Sequence, residues 1–206
     1  MLTVTQTKVM NIDGAIRGAR NPMNSWHLSD SYTDDNGVFH LGKADLDFGR
    51  RLAVAGSDHR KFLRQVFVSV DIKAPIYWWK EFDTYKVGTV ANSTSTMHKI
   101  HAKAFESSDF STDHLTDEGK AALDHMMEYL ESCRVRFNET KDKSAWYDII
   151  SLLPSAYEQT RTVTMNYENL INIYYARCNH KLDEWHIFCD WVKELPHAAE
   201  WILIRD

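Results

Sequence analysis

Residues 152–177, LLPSAYEQTRTVTMNYENLINIYYAR, have the pattern of a strand followed directly by a helix. The stretch 157–165 is rich in Thr and Val, residue types that favour a strand. Asn166 follows at once and is a suitable N-cap for a helix that runs to about Arg177. Pro154 separates this unit from the segment before it. The stretch therefore predicts one strand and one helix joined without a loop.

Apolar periodicity and capping residues predict the other elements around this unit. Thr116 is a good N-cap for a long helix, and Pro75 suits the first turn of a short helix that carries Ile76, Trp79 and Phe82 on one face. Strands are predicted at 3–10 and 67–72, helices at 44–55, 145–152 and 182–195, and a long surface loop at 18–38. We expect an α+β fold, mostly helical with a small sheet, in a single domain spanning residues 1–206.

Composition excludes several classes of protein. The net charge of −5 argues against a partner that is polymeric nucleic acid, and no apolar run reaches the ~20 residues of a membrane helix. The segment 1–14 lacks the apolar core of a signal peptide, and three scattered cysteines suggest free thiols in a reducing cytoplasm. Seven Trp, nine Tyr and nine Phe indicate a large apolar core, or surfaces for subunits or planar ligands.

A cluster of cysteine and histidine near the C-terminus raises the question of a metal site. Cys178, His180, His186 and Cys189 are spaced C-x-H-x5-H-x2-C, which fits no familiar zinc pattern. Cys189 also falls on the apolar stripe of its helix. We therefore predict core cysteine, surface histidines and no metal, with a structural zinc site as the alternative. Nucleotide-binding glycine motifs of the Rossmann and P-loop types are absent from the sequence.

Two asparagines and an arginine stand out in the quoted unit. Asn172 lies among Leu, Ile and Tyr residues, where an amide costs free energy unless it is hydrogen-bonded. One interpretation is structural, with Asn166 as a cap and Asn172 in a buried hydrogen bond. The other is recognition of a planar, amide-like edge such as a flavin or pyrimidine ring, because an amide offers both a donor and an acceptor. Both interpretations stay open.

The segment 81–99, EFDTYKVGTVANSTSTMHK, is polar and follows the apolar run IYWW. Hydroxyl residues at 93–96 resemble candidate nucleophiles, with His98 and His101 near in sequence as candidate bases. A polar ligand-binding loop is the favoured interpretation.

Three segments in order resemble the flavin-dependent thymidylate synthases. Residues 72–98 are similar to the family's strand, its helix start and its signature R-H-R-x-x-S-x-N-E-x-S-x-R. Residues 152–177 are similar to its Leu-Pro, strand and V-N-x-R-S-L-x-x-F-L-x-L-R segment, and DEWHIFCDWV stands where the family has A-Q-W-E-I-R. The matching order covers about 42–195. The family's R-H-R falls on Thr84, Tyr85 and Lys86, so its arginines are lost.

The resemblance implies roles for particular residues. His59, Asn166 and Asn172 would contact FAD, and Arg177 would polarise the substrate ring as the catalytic group. A pyrimidine nucleotide such as dUMP would be bound by Lys86, Asn92, Ser93, Ser95, His98 and Arg177. Other family arginines fall on Met97 and Ile150, and Glu168 replaces an arginine beside the first flavin-contacting asparagine. Since arginine binds phosphate bidentately and keeps its charge, these losses change how a nucleotide could be held.

The resemblance also implies an activity and partners. The family transfers a methylene group from methylenetetrahydrofolate to dUMP and uses FAD with NADPH as reductant, in homotetramers. We expect a flavoprotein of this kind, possessing methyltransferase and oxidoreductase chemistry or a related nucleotide modification in dTMP biosynthesis. The alternative is a catalytically inactive binding or scaffold protein that keeps the fold.

Overall fold

The computed structural model describes residues 1–204, about half of the chain being helical. The helices are α1 Ile12–Ala19, α2 Lys43–Val54, α3 Ile76–Phe82, α4 Asp117–Thr140, α5 Lys143–Leu152, α6 Tyr167–Arg177, α7 Asp183–Lys193 and α8 Ala198–Trp201. The strands are β1 Thr3–Met10, β2 Tyr32–Thr33, β3 Phe39–His40, β4 Phe67–Pro75, β5 Val90–Ser93 and β6 Glu158–Asn166.

The sheet is small, as the sequence predicts, and it is antiparallel. Four strands hydrogen-bond in the order β1-β4-β6-β5, and β2 pairs with β3 in a separate two-stranded ribbon. β4 alternates between buried and more exposed positions because one face of an antiparallel strand packs on the core. The predicted α+β class, mostly helical with a small sheet, is therefore confirmed. That residues 1–206 form one domain stays a prediction.

Local signals predict helix starts well. The side chain of Thr116 accepts a hydrogen bond from the backbone N–H of Gly119 at 3.1 Å and so caps α4. Asn166 caps α6 in the same way, and the side chain of Asn169 returns a bond to the backbone N–H of Asn166 at 3.1 Å. Pro75, predicted in the first turn of α3, is instead its N-cap in an extended conformation and the last residue of β4.

Contacts divide the chain into two compact units. The first unit contains Met1–Thr3, Ile72–Thr84 and Asn92–Thr162, and the second contains Val4–Asp71, Tyr85–Ala91 and residues 163–204. In the first unit, α4 packs on α5 around an apolar cluster that includes Ile100, Cys133 and Ile149.

The second unit has its own core. Here α6 packs on α7 and on the six-residue 3-10 helix Arg60–Gln65, while α2 packs on α8. Trp185 and Trp201 are fully buried in this unit. Gly49 of α2 allows the close approach of α8, since a Cβ there would lie 2.7 Å from the indole nitrogen of Trp201. The buried aromatic side chains thus serve the core, one of the two uses that the composition suggests.

Two sequence predictions of loops are wrong in part. The segment 18–38, predicted as a loop, contains two short helical turns and β2, and α1 precedes it unpredicted. Within the polar segment 81–99, residues Val90–Ser93 form β5 at the edge of the sheet. Both errors concern short elements; β2 pairs with the nearby β3, whereas β5 pairs with β6, which is distant in the chain. Within residues 1–204 every helix is too short or too polar to span a bilayer.

Candidate functional site

The predicted site residues belong to both units. His59, Lys86, Asn166, Asn172 and Arg177 lie in the second unit, whereas Asn92, Ser93, Ser95 and His98 lie in the first. The two groups are described in turn.

Arg177, at the end of α6, is held by two aromatic side chains. Its Nε donates a hydrogen bond to the Tyr85 hydroxyl at 2.8 Å. The guanidinium carbon lies 4.9 Å from the ring centroid of Trp185 and 5.5 Å from that of Tyr85, distances typical of cation–π contacts. Trp185 is fully buried, so the aromatic ring that the guanidinium contacts is held in place by the core. The predicted catalytic residue is therefore pre-oriented by Tyr85, which stands at the histidine of the resembled signature.

Asn166 serves the backbone at the start of α6. Its amide oxygen accepts a hydrogen bond from the Asn169 N–H at 2.9 Å, so that oxygen acts as the helix cap. The capping interpretation is confirmed for the oxygen, which leaves the Nδ2 group as the part that could meet a ligand acceptor. Asn166 is 9% exposed.

The segment Tyr85–Ala91 lies over this helix start. Asn169 Nδ2 donates to the carbonyl oxygen of Val87 at 2.7 Å. Gly88 has φ +80°, and a Cβ there would lie 3.0 Å from Asn169 Oδ1 and 3.2 Å from Asn166 Nδ2. A glycine is needed at this position for both reasons, conformation and space. Lys86, two residues earlier, is solvent-exposed.

Asn172 corrects one structural argument from the sequence. The residue is exposed on α6, while its neighbours Ile171 and Ile173 are buried. A buried structural hydrogen bond is therefore the wrong interpretation for Asn172, because the amide pays no desolvation cost. Its predicted contact with a flavin stays a prediction.

A buried ion pair fixes the neighbourhood of His59. Arg60 Nε donates to both carboxylate oxygens of Glu168, at 2.9 and 3.1 Å, and both residues are buried. This pair ties the segment Arg60–Gln65 to the first turn of α6. His59, directly before Arg60, is exposed. Glu168, which replaces an arginine of the resembled family, thus pairs with an arginine from elsewhere in the chain.

In the first unit, Ser95 organises a tight turn. Its hydroxyl oxygen accepts hydrogen bonds from the backbone N–H groups of Met97 at 3.2 Å and His98 at 2.8 Å. These two N–H groups are consumed inside the turn. A phosphate at this turn would consequently rely on side chains such as that of His98, which is exposed.

The turn is anchored on both sides. Gln159 Nε2 donates to the carbonyl oxygen of Thr94 at 2.6 Å, and Trp146 Nε1 donates to that of Met97 at 3.2 Å. Asn92 and Ser93 precede the turn at the exposed end of β5. These hydrogen bonds hold the backbone of the turn in place, so its exposed side chains project from fixed backbone positions.

Two positions that the resemblance aligns with family arginines have structural roles in this chain. Ile150 packs against the apolar cluster of the first unit, and the Thr84 hydroxyl donates to the carbonyl oxygen of Glu81 at 2.7 Å. Sequence reasoning missed Arg161, whose Nη1 lies 2.7 Å from Asp83 Oδ1 and whose guanidinium stacks 4.2 Å from the Trp79 ring. Only its position as a charged residue within the Thr-rich strand β6 could have drawn attention to it.

The cysteine–histidine cluster lines a cavity of about 370 Å³. His186 Nε2 is engaged with the carbonyl oxygen of His180 at 2.8 Å. Burial raises the pKa of the Cys189 thiol to about 12, as expected for a core cysteine. Within residues 1–204, no group of three or more His, Cys, Asp or Glu side chains is arranged to hold a metal ion.

Solved structures share this fold. The flavin-dependent thymidylate synthase ThyX from Helicobacter pylori, complexed with FAD and dUMP, matches with a TM-score of 0.68 and 17% identity over 97% of this chain and 96% of that one. Another H. pylori ThyX structure, with FAD and dUMP, matches with a TM-score of 0.70 and 17% identity over 100% of both chains.

A further similar structure is PolB from Streptomyces cacaoi, a UMP/dUMP methylase bound with 5-Br dUMP. It matches with a TM-score of 0.62 and 13% identity over 98% of this chain and 95% of that one. No family model and no curated protein matches the sequence. At these identities the likeness establishes the fold, which is that of the ThyX structures, and no more.

Proposed function

We propose that this protein binds FAD and a pyrimidine nucleotide such as dUMP, and that it is a divergent flavin-dependent thymidylate synthase. The observation that carries the proposal is the orientation of Arg177 by Tyr85 and Trp185, within a fold shared over the whole chain with structures that hold FAD and dUMP. A fixed guanidinium suits a planar ring with carbonyl oxygens, since its donors form a rigid fork.

Three polar side chains of the second unit support the proposed flavin site. Asn166 retains an amide donor, Asn172 and His59 are exposed, and each could pair with a polar edge of a planar ring. When bound, FAD would supply the hydride, and methylenetetrahydrofolate and NADPH would be the co-substrates.

The chain's own side chains would bind and orient the nucleotide. Arg177 would polarise the pyrimidine carbonyl, and the nucleotide phosphate would be met by Lys86 and His98. Asn92, Ser93 and Ser95 would add hydrogen bonds, Ser95 through its O–H because its oxygen already accepts two. A homotetramer in the cytoplasm is part of the same proposal.

A second candidate is a binding protein that has lost the reaction. The capping role of the Asn166 oxygen and the apolar packing of Ile150 favour it, because both positions would serve ligands in the resembled family.

Two experiments separate the candidates. Calorimetric titration of the FAD-loaded protein with dUMP should give saturable binding that Arg177→Ala weakens at least about tenfold, as expected for loss of a charge-assisted contact. Complementation of a thymidine-requiring bacterium then tests the reaction. Binding without complementation supports the second candidate, whereas dUMP binding that is unaffected by Arg177→Ala removes the assigned role.

A further inference from the structure

A second cavity of about 460 Å³ lies in the second unit, beside α1. Three aromatic side chains, Trp26, Tyr32 and Phe39, line it together with Arg17 and Arg20. None of these residues belongs to the predicted flavin or nucleotide set. The volume falls within the range of pockets that accept small molecules.

The polar wall of the cavity is fixed by a buried ion pair. Arg20 is 4% exposed, and its Nε donates to Asp45 Oδ1 at 2.6 Å. The hydroxyl groups of Ser29 and Ser31, which also line the cavity, both donate to the other oxygen of Asp45. Because Phe48 stacks 4.6 Å from the guanidinium of Arg20, this wall has little freedom to rearrange.

The aromatic side chains are exposed yet oriented. Trp26 is 49% exposed, and its indole N–H donates to Asn21 Oδ1 at 2.9 Å. Tyr32 is 61% exposed and stacks on His40 with ring centroids 4.9 Å apart. His40 is held in turn by Asp34, with 2.9 Å between Nε2 and Oδ2. Exposed rings that keep a set orientation offer flat faces for a planar ligand at low entropic cost.

Charge at the cavity selects the ligand further. Arg17 and Asp13 lie one turn apart on α1, and neither forms an ion pair with any of residues 1–204. A guanidinium without a partner binds a carboxylate through two parallel hydrogen bonds. Asp13 would repel a dianion and would accept a hydrogen bond from a ring N–H.

We propose that this cavity binds an aromatic monocarboxylate with an N–H donor. The ring packs against Trp26 and Tyr32, the carboxylate pairs with Arg17, and Asp13 accepts from the N–H. The site shares no residue with the proposed flavin and nucleotide sites, so its test does not depend on the proposed function.

The test uses indole-3-carboxylate as the probe and its neutral amide, indole-3-carboxamide, as the matched ligand. Binding to the full chain is followed by ¹H–¹⁵N spectra of the tryptophan indole N–H groups, with the Trp26 signal assigned by its loss in Trp26→Phe. We expect a saturable shift of that signal, and tighter binding of the carboxylate than of the amide.

Variants locate the contact. Arg17→Gln should weaken carboxylate binding at least about fivefold, the size expected for one charge-assisted pair, and should leave amide binding unchanged. Arg50→Gln removes an equal charge from an exposed arginine of α2 outside this cavity and should change nothing. The proposal is overturned by the lack of a saturable shift, by insensitivity to Arg17→Gln, or by an equal effect of Arg50→Gln.

Discussion

Arg177 donates a hydrogen bond from Nε to the hydroxyl of Tyr85 at 2.8 Å, across 92 positions of sequence. In the resemblance to the flavin-dependent thymidylate synthases, the tyrosine aligns with a signature histidine and the arginine with a family arginine. If Arg177 has the proposed role, Tyr85 is the neighbour that orients it.

Replacing Tyr85 by Phe should loosen Arg177 without removing its aromatic support. The ring contact at 5.5 Å remains and the hydroxyl acceptor is lost. We expect the dissociation constant for dUMP to rise about five- to tenfold by calorimetry, because a hydrogen bond to a charged group contributes roughly 1–2 kcal/mol. Tyr147→Phe, at an exposed tyrosine of α5, is the control and should leave dUMP affinity unchanged. Equal affinities in Tyr85→Phe and the unmodified protein would show that the hydroxyl does not position Arg177.

Gly88→Ala should destabilise the protein and weaken FAD binding. The new methyl group would meet the amides of Asn169 and Asn166 at 3.0–3.3 Å, in a backbone conformation with φ +80°. Gly37→Ala is a matched control, because its φ is +78° and nothing lies within 4 Å of the added Cβ. In urea unfolding, the free energy of unfolding of the control should fall by about 1 kcal/mol, the cost of the backbone strain alone. That of Gly88→Ala should fall further. An equal fall in the free energy of unfolding for both variants would mean that the two amide side chains move aside for the methyl group without destabilising the protein.

Removing one partner of the Arg60–Glu168 pair should destabilise the protein strongly, whereas replacing both by apolar residues should destabilise it little. Glu168→Gln leaves a buried arginine without its anion, so the free energy of unfolding should fall by about 3 kcal/mol. The double variant Arg60→Met, Glu168→Leu should recover most of this loss, since apolar side chains need no desolvated partner. Chemical denaturation measures both variants. A double variant no better than Glu168→Gln would argue that the pair is needed for packing.

Protonation of Asp45 should contribute to the loss of stability at acid pH. Burial alone would raise the pKa of this carboxyl, but hydrogen bonds from Ser29, Ser31 and Arg20 outweigh it and hold the pKa below the ordinary 3.8. A lowered folded-state pKa contributes stability above the unfolded pKa, and this stability is lost as pH falls through the folded value.

The Asp45→Asn variant tests this linkage. It should be less stable than the unmodified protein at pH 7, because Arg20 then lacks its anion, and the difference should shrink as pH falls below about 4. Urea unfolding at several pH values measures the difference. The exposed neighbour Asp47→Asn is the control and should show no such convergence. A gap between Asp45→Asn and the unmodified protein that stays constant down to pH 2 would contradict the assignment.

The parts of the fold that the sequence predicts depend on short-range signals. The Asn166 cap follows from a side chain that bonds the backbone three residues on, and the Thr116 cap works in the same way. The helix α1 escaped prediction because Gly14 and Gly18 lower helix propensity, and only its burial of Ala15 and Ile16 reveals the reason it forms.

The site depends on long-range pairs that no local pattern encodes. Arg60 and Glu168 are 108 positions apart, and no local pattern around either residue indicates the other. The same holds for the strand Val90–Ser93, which shows no polar–apolar alternation and lies at the edge of the sheet beside the distant β6. Resemblance identified candidate residues, but the partners of those residues follow only from the structure.

The central claim is that this chain binds FAD and, beside it, a pyrimidine nucleotide. The most direct measurement is a visible absorbance titration of the purified protein with FAD, before and after addition of dUMP. We predict a saturable change in the flavin bands and a second change when dUMP is added. A flavin spectrum identical to that of free FAD, with all FAD passing through a filter that retains the protein, would contradict the claim.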